Sequence, residues 1–274
     1  MYSAIYIWGL NLSTTPYDWQ NSVSPSDMSW WFYEVGQWPS CSDLRPQAYR
    51  LLSLQFVHGG LLHIGPNLLG TLAYGALFER YQGYLLTGIV FELAVAMSAL
   101  GQNYYEPYEN LFGCSGGLYG LVGGNIASLI MNKEYLNRRF FFFVLILIPI
   151  HLSVDIILYF TWFRPNSAYT AHFTGFITGL LAPLVFGVLH RTTGKLLVSL
   201  TALALLISMI VYLFQSYFTV WPPFSHFQLP FHSGSRGKAT CCEQMLNLVH
   251  NYHVDYASVI AQYSCNGYTL VDNH

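Results

Sequence analysis

Apolar residues are not spread evenly along this chain. They collect in six runs, at roughly 50–80, 84–101, 113–131, 140–161, 170–190 and 196–220. Each is close to or beyond the roughly 20 apolar residues that a helix needs to cross the hydrocarbon of a bilayer. The separators are short, so the pattern predicts a single all-α, polytopic transmembrane helical bundle. The flanks differ from it. Met1–Leu12 is apolar, but at about 18 Å of helix it is too short to span. It also lacks the basic start and small-residue cleavage site of a secretory signal. It is expected to be the stub of a first helix or a short interfacial helix. Residues 13–48 mix polar residues with Trp19, Trp30, Trp31 and Trp38, as suits a loop lying at the membrane interface. From Trp221-Pro222-Pro223 onward the chain turns polar. The expected organisation is therefore an N-terminal stub and outer interfacial loop (1–48), a helical core (49–190), an additional C-terminal transmembrane helix (191–220) and a polar tail (221–274).

Composition agrees with a membrane-embedded chain. Only 9% of residues are charged and 53% are hydrophobic, whereas a soluble domain carries about 25% charged residues. The net charge is −2 and the basic residues are scattered, which argues against nucleic acid as a partner. Cysteines stand at 41, 114, 241, 242 and 265 without a CxxC pair, so neither a zinc nor a redox site is indicated. Arg80, Lys133, Arg138, Arg139, Arg191 and Lys195 fall on one side of the predicted bundle, and Arg45, Arg50 and Arg164 on the other. The excess of basic residues puts the first set in the cytoplasm. The 13–48 loop, the 102–112 loop and the tail then face outside or a lumen, where a disulfide among Cys241, Cys242 and Cys265 is compatible with the compartment. Asn11-Leu12-Ser13 is a glycosylation sequon lying close to the membrane.

Polar residues inside apolar runs change the picture, because each is expensive at membrane depth and so points to function. Three clusters stand out. In His58-Gly-Gly-Leu-Leu-His63-Ile-Gly-Pro-Asn67, a continuous helix would put His63 and Asn67 on one face and His58 about 140° away. Both His63 and Asn67 can donate hydrogen bonds to a developing oxyanion, or simply bridge helices. The spacing is not that of HExxH, so a metal site is not expected. Gly113-Cys114-Ser115-Gly116-Gly117 opens the next-but-one apolar run. Glycines there leave backbone amides accessible beside a serine at a helix N-terminus, or else mark close helix packing. In Ala171-His172-Phe-Thr-Gly175, with Gly179 four residues on, the glycines would admit another helix and bring His172 within reach of Ser115. A lone histidine there would equally serve as a structural donor. Together, a serine, a histidine and a donor pair at matching membrane depth are the parts for acyl transfer.

In this order and spacing the three clusters resemble the rhomboid intramembrane proteases, from about Arg45 to Gly179, with seven-helix members extending to 220. The resemblance implies that Ser115 of the GxSG element is the nucleophile and that His172 of the AHxxG element is its base. It implies that His63 and Asn67 help bind the oxyanion and that Tyr119, four residues after the serine, packs on the imidazole. Gly113, Gly116 and His58 are expected to support the site. Glu79 matches a glutamate closing the second core helix, and Tyr49-Arg50 stands where the family has a Trp-Arg pair. Glu92, inside an apolar run, departs from the pattern.

The implied activity is a serine endopeptidase that cleaves single-pass transmembrane substrates in the bilayer with a Ser–His dyad, without metal or cofactor. The six-plus-one layout resembles that of eukaryotic secretory-pathway members. Two rivals are carried. One is a catalytically inactive relative that binds membrane proteins, which a serine-reactive probe would separate. The other is a transporter using a histidine proton relay, which would call for an inverted repeat not seen in this sequence.

Overall fold

A computed structural model describes residues 47–58, 61–105, 111–132, 138–161, 168–187 and 193–220. The Met1–Leu12 stub, the loop up to residue 46, the sequon, the tail, Cys41, Cys241, Cys242 and Cys265, and the loop bases Arg45, Lys133, Arg164 and Arg191 lie outside them. The elements are a short helix α1 (Arg50–Ser53), a 3-10 turn (Leu54–Phe56), and then α2 (Leu61–Gln82), α3 (Tyr84–Tyr105), α4 (Ser115–Asn132), α5 (Arg138–Thr161), α6 (Tyr169–Phe186) and α7 (Thr193–Val220). Among the described residues the fold is all-α, and each apolar run houses one long helix.

α3, α6 and residues Leu196–Phe218 of α7 are long and apolar enough to cross a membrane, and α7 is the least buried of them. α2 and α4 carry glycines and asparagines along their length, and α2 also carries His63. The reason is position. α4 is the central helix, buried without interruption from Gly116 to Asn125. A helix enclosed by other helices needs tight contacts and satisfied polar groups more than it needs apolar bulk.

Glycine supplies the contacts. A Cβ on Gly175 would collide with the carbonyl oxygen of Gly116, one on Gly179 with that of Gly120, and one on Gly123 with that of Phe176. α4 and α6 therefore touch backbone to backbone, running parallel in the register 116·175, 120·179. On another side, Cβ atoms on Gly116, Gly117 and Gly120 would strike Ser98, Phe91 and Ala94, which seats α3 antiparallel to α4. α2 runs parallel to α4, its Gly70 and Gly75 opposite Leu118 and Leu121.

Several buried polar groups are answered across these seams. Asn125 Nδ2 donates to Tyr74 O (3.0 Å) and to Leu121 O (2.8 Å), and Gln82 Nε2 donates to Ser128 Oγ (3.1 Å). On α6, Thr174 and Thr178 return their hydroxyls to the carbonyls one turn back, at 2.7 and 2.8 Å, the usual way such side chains are satisfied inside a helix. One apolar cluster centres on Tyr74, Phe78, Leu118, Leu121 and Val122, and a second on Leu54, Val95, Met97 and Leu100. α7 joins the bundle through Leu206, Leu213 and Tyr217 and through the Tyr212 hydroxyl, which donates to that of Tyr104.

The segment before α2 folds back onto the bundle. Arg50 is buried, its Nε donates to Gln47 Oε1 at 2.6 Å, and its guanidinium lies 5.4 Å over the exposed Tyr49 ring. Glu92, the residue that departs from the expected pattern, accepts a 2.8 Å hydrogen bond from the buried Gln55. The exposed Glu79 anchors the end of α2 through its carbonyl, which accepts from Gly83 N at 2.8 Å.

Candidate active site

Ser115 is the first residue of α4, and what precedes it fixes its presentation. Gly113 has φ +106°, a left-handed conformation that L side chains rarely adopt. Its amide donates to Leu54 O at 3.0 Å, and the next amide, of Cys114, donates to His58 Nε2 at 3.2 Å. The helical ladder then begins with Leu118 N to Cys114 O at 3.1 Å. The amides of Ser115, Gly116 and Gly117 therefore lie ahead of that ladder, where a helix N-terminus presents N–H groups to an anion.

His172 sits in the first turn of α6, three residues before Gly175. Because the 116·175 contact locks α4 to α6, the imidazole reaches the serine, with His172 Nε2 2.9 Å from Ser115 Oγ. With its ring proton on Nδ1, the histidine accepts from the hydroxyl. Tyr119, one turn after Ser115, stacks flat on the imidazole with ring centroids 4.3 Å apart and an interplanar angle of 12°. Tyr169 closes the ring from its edge at 5.9 Å. The half-buried pair is held in orientation by rings from both helices.

The α2 residues converge on the same level. His63 lies over the serine loop, its ring about 3 Å from where a Cβ on Gly113 would stand. Asn67 is one turn further on the same face of α2, and its Nδ2 is buried without a hydrogen-bond partner among the described residues. The parallel register places Gly70 opposite Leu118. One turn earlier on both helices, Asn67 comes level with Ser115.

His58 requires a correction. As part of one continuous helix it would point about 140° away from His63. Instead α2 starts at Leu61, and at Val57 the backbone is extended. His58 thereby turns back to meet His63 edge-on, 5.1 Å between centroids, with its Nε2 also 3.3 Å from Cys114 Sγ. Since Nε2 accepts the Cys114 amide, the ring proton resides on Nδ1. His58 braces the serine loop rather than facing away from it. Gly116 also does more than leave an amide accessible, since it is the point at which α3, α4 and α6 meet.

Two side chains linked to the rings of the site belong to none of the motifs: His151 of α5 and, through it, Tyr74. His151 lies edge-on to Tyr119 at 5.7 Å. A histidine within an apolar run was the available signal for it. Among the described residues no cluster of His, Cys, Asp or Glu has the form of a metal site.

The Gly113 geometry yields a first expected result. Gly113→Ala adds a side chain at positive φ and drives it to within 2.9 Å of the His63 ring. It should lower stability by about 1–3 kcal/mol and displace His63. Thermal unfolding in detergent would show it, and an unchanged midpoint would contradict the strain argument.

A family model of the Rhomboid domain matches residues 45–189, just over half of the chain. Rhomboid-related protein 2 of Mus musculus is 30% identical over 149 residues, covering 54% of this chain and 49% of its own length. RHOMBOID-like protein 5 of Arabidopsis thaliana is 30% identical over 145 residues, 51% of this chain and 44% of its own length. Rhomboid-type serine protease 2 of Emericella nidulans is 30% identical over 135 residues, 49% of this chain and 26% of its own length. The chain spans about half or less of the curated relatives it matches. With the helical bundle, its membrane-crossing helices and the domain match in hand, the chain belongs to the rhomboid family of multi-spanning membrane proteins.

Proposed function

We propose that this protein is an intramembrane serine endopeptidase whose catalytic dyad is Ser115 and His172. The 2.9 Å approach of His172 Nε2 to Ser115 Oγ carries this reading. Ser115 Oγ attacks the scissile carbonyl as His172 takes its proton. The tetrahedral oxyanion is held by the Ser115 amide, the Asn67 side-chain amide and His63. His172 then protonates the departing amine. A water, deprotonated by His172, attacks the acyl-enzyme, and the new carboxyl end is released with Ser115 restored.

The buried Asn67 Nδ2, without a partner among the described residues, supports the donor role, since such a donor is available to charge that develops only in the transition state. Substrates are single-pass transmembrane segments whose ends unwind at the site, and residues that break helices would ease that step. The eukaryotic relatives, together with the expected outward-facing loops, favour a membrane of the secretory pathway.

The test is to co-express the full chain with a tagged single-pass substrate and follow release of its ectodomain, with labelling of Ser115 by a fluorophosphonate as a second readout. A folded chain that releases no ectodomain and takes no label would replace this reading with that of a membrane-protein binding factor. Asn67→Ala is expected to slow release by about 10²–10³-fold without abolishing it. A wild-type rate in that variant would remove Asn67 from the oxyanion site.

A further inference from the structure

The proposed base lies at one end of a row of four rings drawn from four helices. His172 on α6 stacks on Tyr119 of α4. Tyr119 meets His151 of α5 at 5.7 Å and 61°, and His151 in turn meets Tyr74 of α2 at 5.3 Å and 79°. Tyr74, only 2% exposed, is fixed twice over. Its hydroxyl donates to Leu147 O on α5 at 3.2 Å, and its carbonyl accepts from Asn125 Nδ2 of α4 at 3.0 Å. Leu147 is one turn before His151, so the hydrogen bond and the ring contact fall on one face of α5.

General packing does not account for a histidine here. Among its described residues α5 buries only Val144 and Ile148, while Phe142, Phe143, Leu145, Ile146, Ile150 and Ile157 are exposed. A leucine at 151 would suit such a helix better, because an imidazole at this depth is expensive. What the imidazole offers is a ring with positive edges, which suits edge-to-face contact with two tyrosines at once.

We propose that His151 is a positioning residue for the Ser115–His172 dyad, holding the Tyr119 ring at the angle that stacks it on the imidazole. Its influence on the dyad passes through Tyr119, which meets His151 on one side and stacks on His172 on the other. The inference rests on the dyad reading above.

A double-mutant cycle tests it, using the full chain in detergent and a transmembrane substrate. His151→Ala is expected to lower kcat about tenfold with KM within about twofold. His151→Phe, which keeps a ring edge against Tyr119, should recover most of that loss. In a Tyr119→Ala background, removing His151 should cost nothing further, because the route is already cut. Additive losses in the cycle, or an effect confined to KM, would overturn the proposal. Should His151→Ala fail to fold, His151→Leu and His151→Phe serve instead, with the loss expected in the leucine variant alone; equal kcat values would then refute it. Fluorophosphonate labelling of wild-type Ser115 separates the two levels of inference. Its absence sinks the dyad itself, whereas normal labelling beside an inert His151 sinks only the positioning role.

Discussion

Ser115→Ala and His172→Ala are each expected to abolish ectodomain release, a loss of about 10⁴–10⁶ in rate. The reason is that the two act as one device. A serine hydroxyl is a poor nucleophile until a base removes its proton during attack, and the base has no task without the hydroxyl. The double variant should therefore be no slower than either single one, a sharper requirement than loss of activity alone. Ser115→Ala should also be structurally mild. It removes one hydroxyl from the half-buried first residue of α4 and leaves the Gly116·Gly175 contact and the Tyr119 stack in place. Unchanged thermal unfolding with complete loss of release would attribute the effect to chemistry. Cleavage that persists in both single variants would exclude the dyad.

The second large effect concerns no reacting group. A Cβ on Gly179 would run into the carbonyl oxygen of Gly120, and because the obstacle is backbone, no rotamer change relieves it. Gly179→Ala must push α4 and α6 apart, and the Ser115–His172 pair lies only about two turns away on the same two helices. Overpacking of this kind typically lowers stability by about 1–3 kcal/mol, and more where nothing can yield. A displacement of about 1 Å at the reacting atoms costs about 10²-fold in rate. Both losses are expected in Gly179→Ala, read as an unfolding midpoint and a rate of release. Gly88→Ala, where the added Cβ meets nothing within 4 Å, is the control and should change stability by no more than about 0.5 kcal/mol. Equal behaviour of the two variants would dismiss the backbone contact as the determinant of the site.

These two cases show where the sequence was legible. The six apolar runs become six long helices because the bilayer requires each span to satisfy its own backbone, so length and apolarity suffice to find them. The serine, the histidine and the donor pair were visible because polar residues stand out against such runs. Harder to see was the break in the chain before α2. Pattern alone continued the helix through His58, whereas the structure starts it at Leu61 and folds His58 back onto the serine loop. His151 and Tyr74 escaped motif reading because their contacts join helices far apart in sequence.

What this sequence determined by itself is local and additive: which segments span, which residues are too polar to be there without reason, and which glycines leave room. Depth in the membrane also follows, since it is a count of residues along each helix. The tertiary structure decided which helix faces which. Backbone contact at 116·175 and 120·179 selects α6 as the neighbour of α4 and so turns two separated residues into a 2.9 Å pair. The same packing stacks Tyr119 on His172 and brings α5 into the row of rings. Spacing along one helix cannot encode such contacts, because they depend on the rotation and approach of two helices at once.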